Sequence, residues 1–191
     1  ENLLKQASLH FPGLPKILYG HSMGGNVVAN LALRRKPNVA GLVLSSPFFN
    51  TAFQPPAIKL AAGRLMRNWI PTFSLPSGLD VNAISRDKEV VKKYSADPMV
   101  FDSISSKMGI ELIEFGQEAV QNAAKLTLPT LLFHGTADQL TSFDESKKFA
   151  SNAGKNVTFI EYKGLFHECH NEPEKAEVLQ NMLKWCNNLI G

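Results

Sequence analysis

Ser22 stands in the stretch Tyr19-Gly20-His21-Ser22-Met23-Gly24-Gly25, a G-x-S-x-G pattern placed directly after an apolar run. A serine hydroxyl is a weak nucleophile at neutral pH. It becomes effective when an imidazole takes its proton and a third group, usually a carboxylate, holds that imidazole in place. The pattern predicts a sharp strand-to-helix turn that keeps Ser22 in a strained backbone conformation, with Gly20 and Gly24 leaving room where a β-carbon would clash. Met23 would then offer its backbone N–H to an oxyanion developing beside the serine.

The partners are sought at strand ends, where sites gather in open α/β sheets. Asp138 lies five residues past an apolar run ending at Phe133, and His167 lies five past a run ending at Tyr162. Plainer roles exist for all three: a turn serine, a helix-start aspartate and a loop histidine. Among competing acids, Asp97 precedes Pro98 in a proline-rich segment, and Asp144 falls in the first turn of a helix, where an acid suits the dipole. These two and Asp102 are set aside. His10 reads as a surface residue, and His21 and His134 as turn residues that shape loops beside the site. His170 lies three residues from His167 but has no further ligands at suitable spacing, so no metal site and no cofactor are predicted.

The elements that must position these groups can be read from the apolar pattern. Pro15 to Tyr19 reads as a buried strand, Ser22 to Arg35 as a helix with Met23, Val27 and Leu31 at helical spacing, and Val39 to Leu44 as a second strand. Strand, helix, strand in this order is a βαβ unit with parallel strands. From Phe49 to Lys125 no strand-like run occurs; prolines and three helical segments, Ala57 to Trp69, Arg86 to Tyr94 and Ser106 to Lys125, read as a helical insertion. A strand returns at Leu128 to Phe133, a helix begins near Ser142 with Glu145 at capping-box spacing, Asn156 to Tyr162 forms another strand, and Pro173 opens a final helix. The expected fold class is α/β: a parallel sheet flanked by helices and interrupted by a helical cap. The expected division is 1–49 core, 50–125 cap and 126–191 core.

Charge and composition exclude several classes. The chain has 191 residues, 44% of them hydrophobic, and a net charge of only +3, with no basic block long enough for a nucleic-acid surface. Arg34-Arg35-Lys36 reads as the cationic end of a helix that Pro37 stops. Cys169 and Cys186 form no disulfide framework; Cys169 reads as a buried reduced thiol. No apolar run approaches the roughly 18 residues of a membrane span, and a cytoplasmic location is expected. In the insert, Ile58, Ala61, Ala62, Leu65, Met66 and Trp69 share one side of a helix that also carries Lys59, Arg64 and Arg67. That face either packs over the site, the preferred reading, or touches an anionic membrane from outside.

Taken together, Gly20-His21-Ser22-Met23-Gly24-Gly25, Gly78-Leu79-Asp80 with Ser85-Arg86-Asp87, Asp97-Pro98-Met99-Val100, His134-Gly135-Thr136-Ala137-Asp138 and His167-Glu168-Cys169-His170-Asn171-Glu172 resemble the monoacylglycerol lipase and lysophospholipase branch of the α/β hydrolases, of serine aminopeptidase S33 type. The order Ser22, Asp138, His167 is that of the family's Ser, acid and His. The resemblance covers nearly the whole chain. It implies a serine hydrolase that cleaves monoacylglycerol-like or lysophospholipid esters without a cofactor, with Ser22 as nucleophile, His167 as base, Asp138 as its partner and Met23 N–H as one oxyanion donor. It further implies an upstream portion of the same hydrolase domain, including first strands and a His-Gly loop with the second donor; without it the strand at Ile17 would be an open edge. Carboxylesterase or thioesterase activity, or a non-catalytic ligand-binding protein on the same fold, are the alternatives.

Overall fold

The structure, a computed structural model, describes residues 2–191; Glu1 lies outside them. Its sheet is built from β1 (Ile17–His21), β2 (Gly41–Ser45), β5 (Thr130–Gly135) and β6 (Val157–Tyr162), all parallel and ordered β1-β2-β5-β6. Because the strands run the same way, the loops leaving β1, β5 and β6 emerge at one end of the sheet. Every residue of β2 and β5 is buried, which is why these central strands read as unbroken apolar runs. Within the described sheet β1 pairs on one side only, with β2, and its Tyr19 is 46% exposed.

Alternate residues of the strands feed two cores. Leu42, Leu44 and Leu132 pack with Val28, Ala29 and Ala32 of α2 (Met23–Arg35), Ala119 and Val120 of α5 (Ser106–Gln121), and Phe149 and Ala153 of α6 (Phe143–Ala153). Val43, Leu131 and Phe133 point the other way, toward Val178, Met182 and Trp185 of α7 (Lys175–Ile190). The final helix thus starts two residues beyond Pro173. Ser142 caps α6 by accepting the Glu145 N–H at 3.2 Å, while its own N–H goes to Asn50, so only half of the expected capping box forms. Helix α2 ends at Lys36, which takes a left-handed conformation (φ 45°), and Arg34 pairs with Glu118 of α5. The N-terminal helix α1 (Asn2–His10) buries none of its residues.

The insert is helical as expected, with α3 (Ala57–Trp69) and α4 (Lys88–Ala96), which Asp87 caps by accepting the Glu89 N–H. The expectation that it lacks strands is corrected: β3 (Ser74–Pro76) and β4 (Ser103–Ser105) form an antiparallel ribbon. Three residues per strand give no readable period, and Pro76 argues against a strand except at an edge. Helix α5 returns the chain to the core. Asn26 of α2 donates to the carbonyls of Phe48 and Leu112, and a β-carbon at Gly116 would lie 2.3 Å from the Phe49 oxygen.

Candidate active site

Ser22 sits at the junction of β1 and α2 with φ 53° and ψ −119°, a left-side conformation that L residues adopt only under strain. What permits the turn is close approach on both sides of the serine. A β-carbon at Gly20 would lie 2.4 Å from the Gly24 oxygen, and one at Gly25 would lie 2.7 Å from Pro47 Cβ. At Gly24 such a carbon would meet nothing within 4 Å, so the tight pair is Gly20 and Gly25 rather than Gly20 and Gly24. The first N–H groups of α2, beginning at Met23, have no intrahelical partner and stand next to the serine.

The strand ends bring the acid and the imidazole together. Asp138 and His167 are 8% and 4% exposed, and His167 Nδ1 lies 2.7 Å from Asp138 Oδ2. The second carboxylate oxygen, Oδ1, accepts the backbone N–H groups of Leu140 (2.8 Å) and Thr141 (3.0 Å). Burial disfavours the Asp138 charge. Hydrogen bonds from His134 and His167 more than offset it, and the carboxyl is held well below the usual carboxylate range. With its proton on Nδ1 and directed at Asp138, the His167 imidazole keeps Nε2 as its basic nitrogen. The loops carrying Ser22 and His167 meet at the end of β2: the Ser22 N–H donates to the Ser45 carbonyl, and Ser46 Oγ donates to the His167 carbonyl at 2.7 Å. Among the described residues Ser22 Oγ has no hydrogen bond, an arrangement common in unliganded sites, where catalytic contacts tighten when substrate binds.

Several groups at the site were missed or misplaced by sequence reasoning. His134 and His21 lie in strands, not turns. His134 is fully buried, its Nε2 donating to Asp138 Oδ2 at 3.0 Å and its Nδ1 meeting Ser146 Oγ at 2.8 Å, so it orients the acid. Thr141 Oγ1 lies 2.9 Å from the same carboxylate oxygen. A threonine three residues after an acid at a strand end was the available signal. His21 Nδ1 donates to the Ser45 carbonyl, and its ring lies 4.7 Å from that of His167 and 4.9 Å from that of His170. Burial, then the neighbouring histidines, push its pKa down to about 3, so it stays neutral beside His167. Cys169 is fully buried and its thiol is pushed up to about 12 by burial, as expected of an inert thiol.

A parallel sheet with a helical insert, a strained serine at the first strand-to-helix turn and an Asp–His pair at the ends of later strands define an α/β hydrolase. The family model for serine aminopeptidase, S33, matches residues 1–174, and the chain belongs to that family. It is 36% identical over 176 residues to a monoacylglycerol lipase of Mycolicibacterium smegmatis, covering 91% of this chain and 62% of that protein. It is 30% identical to the monoglyceride lipase of Rattus norvegicus, covering 95% of this chain and 61% of that one. The chain therefore spans somewhat under two thirds of these relatives. The crystal structure of Paleococcus ferrophilus monoacylglycerol lipase superposes with a TM-score of 0.87 at 31% identity, covering 98% of this chain and 73% of that one.

Proposed function

We propose that this chain carries the nucleophile, base and acid of a serine hydrolase that cleaves carboxylic esters of lipids, monoacylglycerol or lysophospholipid, through an acyl-enzyme. The observation that carries the reading is the buried Asp138–His167 pair at 2.7 Å set beside a strained elbow serine. His167 Nε2 takes the Ser22 proton as Oγ attacks the ester carbonyl carbon; the oxyanion is met by the Met23 N–H at the start of α2. Collapse breaks the ester C–O bond, and the same Nε2 returns the proton to the leaving alcohol. Water then repeats the sequence, releasing the fatty acid and restoring Ser22. Asp138 keeps the proton on Nδ1 and stabilises the imidazolium. The relatives named above support a lipid ester as substrate.

In the full-length protein, Ser22→Ala is expected to abolish covalent labelling by a fluorophosphonate probe and burst release from a chromogenic ester. Undiminished labelling of that variant would remove the assignment.

The cap supports a refinement of how substrate arrives. On the apolar side of α3, Ile58, Leu65 and Trp69 are 78%, 63% and 80% exposed, so these side chains are not packed against the rest of the described chain. Arg64 and Arg67 are instead drawn to Glu114 of α5, and the Lys59 side chain lies outside the described residues. Peripheral contact with a lipid surface through these apolar side chains, rather than through cations, follows as part of the proposal.

A further inference from the structure

Glu172 is a charged group with no exposed side-chain surface and no part in the chemistry above. Its Oε1 accepts the backbone N–H of Phe166 at 2.8 Å and that of Arg86 at 3.2 Å, and its Oε2 accepts Arg86 Nε at 2.8 Å. A carboxylate taken out of water is tolerated only when donors surround it, and here every donor lies either beside His167 or in the strap 84–86 that precedes α4 within the insert. Arg86 is held from outside by Glu174 as well. The strap makes two further bonds to the histidine loop: Ser85 Oγ donates to the Asn171 carbonyl at 3.2 Å, and the Glu168 N–H donates to the Ile84 carbonyl at 2.9 Å.

The backbone on both sides of the imidazole is thus fixed by three bonds of separate origin. Phe166 N–H goes to Glu172, the His167 carbonyl to Ser46 Oγ, and Glu168 N–H to Ile84. Two of these three depend on the strap 84–86. We infer that Glu172, clamped by Arg86, is a positioning residue for the His167 base and ties the cap to the catalytic loop. The inference rests on the serine-hydrolase reading. Its physical basis is tolerance: a catalytic group must be held within about 0.5 Å, and a misplacement near 1 Å costs on the order of a hundredfold in rate.

The test uses the full-length protein, a fluorophosphonate probe and a water-soluble nitrophenyl ester. Arg86→Met removes the half-exposed end of the clamp without burying a new charge. It is expected to lower both kcat and the labelling rate about tenfold while KM stays within about twofold, and Arg86→Lys, which keeps one donor, is expected to restore part of the loss. Glu172→Gln should lower the same two rates further. If Glu172→Gln fails to fold, Arg86→Met still decides the matter. Labelling and kcat within about twofold of wild type in folded Arg86→Met, with only the melting temperature lowered, would show a merely structural ion pair and overturn the inference. Ser22→Ala separates the two ideas. If labelling depends on Ser22 and ignores Arg86, the clamp fails alone; if labelling survives Ser22→Ala, the hydrolase reading fails first.

Discussion

Asp138→Asn is the sharpest test of how the acid works, because its surroundings dictate which way the new amide must point. Oδ1 accepts two backbone N–H groups, from Leu140 and Thr141, so the amide oxygen has to take that place. The amide nitrogen then stands where Oδ2 was, facing the donors His167 Nδ1 at 2.7 Å and His134 Nε2 at 3.0 Å. His167 can escape this donor–donor conflict only by moving its proton to Nε2, and an Nε2–H cannot accept the serine proton. The substitution therefore forces the wrong tautomer and removes the carboxylate charge. A loss of about 10³–10⁴ in kcat is expected, about 4–5.5 kcal/mol of transition-state stabilisation. Steady-state hydrolysis of a soluble ester and the rate of fluorophosphonate labelling both read it. A kcat within about tenfold of wild type in the folded variant would refute the reasoning and point to another acid. Stability should respond to pH as well. With its folded value depressed, Asp138 stabilises the protein fully above its unfolded value near pH 4 and loses that contribution as pH falls through the folded value. The melting-temperature gap between wild type and Asp138→Asn is expected to narrow below about pH 4; a gap that widens there would contradict the assigned shift.

Gly135→Ala places a β-carbon 2.3 Å from the Leu165 oxygen and 2.4 Å from that of Phe166, backbone atoms of the histidine loop that cannot rotate away. It is expected to cost roughly 3 kcal/mol in urea melts, with activity falling as well, and an unchanged midpoint would show the loop to be pliant. Cys169, with its thiol pushed up to about 12, should ignore an aromatic disulfide reagent at pH 8 in the native protein, and rapid modification with loss of activity would contradict the burial described. For the cap, Trp69→Ser with Leu65→Ser should weaken sedimentation with neutral phosphatidylcholine vesicles about tenfold, while high salt leaves wild-type binding intact. Binding abolished by salt would favour a charge-driven contact instead.

Much of the site was legible because its chemistry sits on the best-marked elements. β2 and β5 are buried on both faces, so their apolar runs stood out, and Asp138 and His167 each follow an apolar run within a few residues. What escaped were effects of approach between segments far apart in the chain. Whether Gly24 or Gly25 is crowded depends on Pro47, which lies on the next connection. His134 looked like a loop residue because it comes just before Gly135, yet β5 runs on through that glycine and buries the ring against Ser146 of α6. Ser46 shows no motif at all; its φ of 40° and its bond to the His167 carbonyl exist only because β2 ends between the two loops. The apolar side of α3 misled in the opposite sense. Its spacing was right for a packed face, but α5 is met by Gly63 and by the arginines that reach Glu114, leaving the large side chains outside.

Strands β2 and β5 are neighbours in the sheet although the whole insert lies between them, and their register, Leu42 opposite Thr130 and Ser45 opposite Phe133, does not involve it. At the neck an antiparallel bridge joins Thr51 to Thr141. Such a connection behaves only in part as a cassette: among the described residues α3 and the β3–β4 ribbon contribute no side chain to either core and can be lengthened, shortened or replaced, whereas α5, whose Ala119 and Val120 pack against the sheet, has to stay. The Arg86–Glu172 clamp sets the limit on that freedom. A graft that exchanged the rest of the insert but dropped the strap 84–86 would keep its sheet and lose the bonds that hold Phe166 and Glu168 on either side of His167, so the strap has to stay when the lid around it is changed.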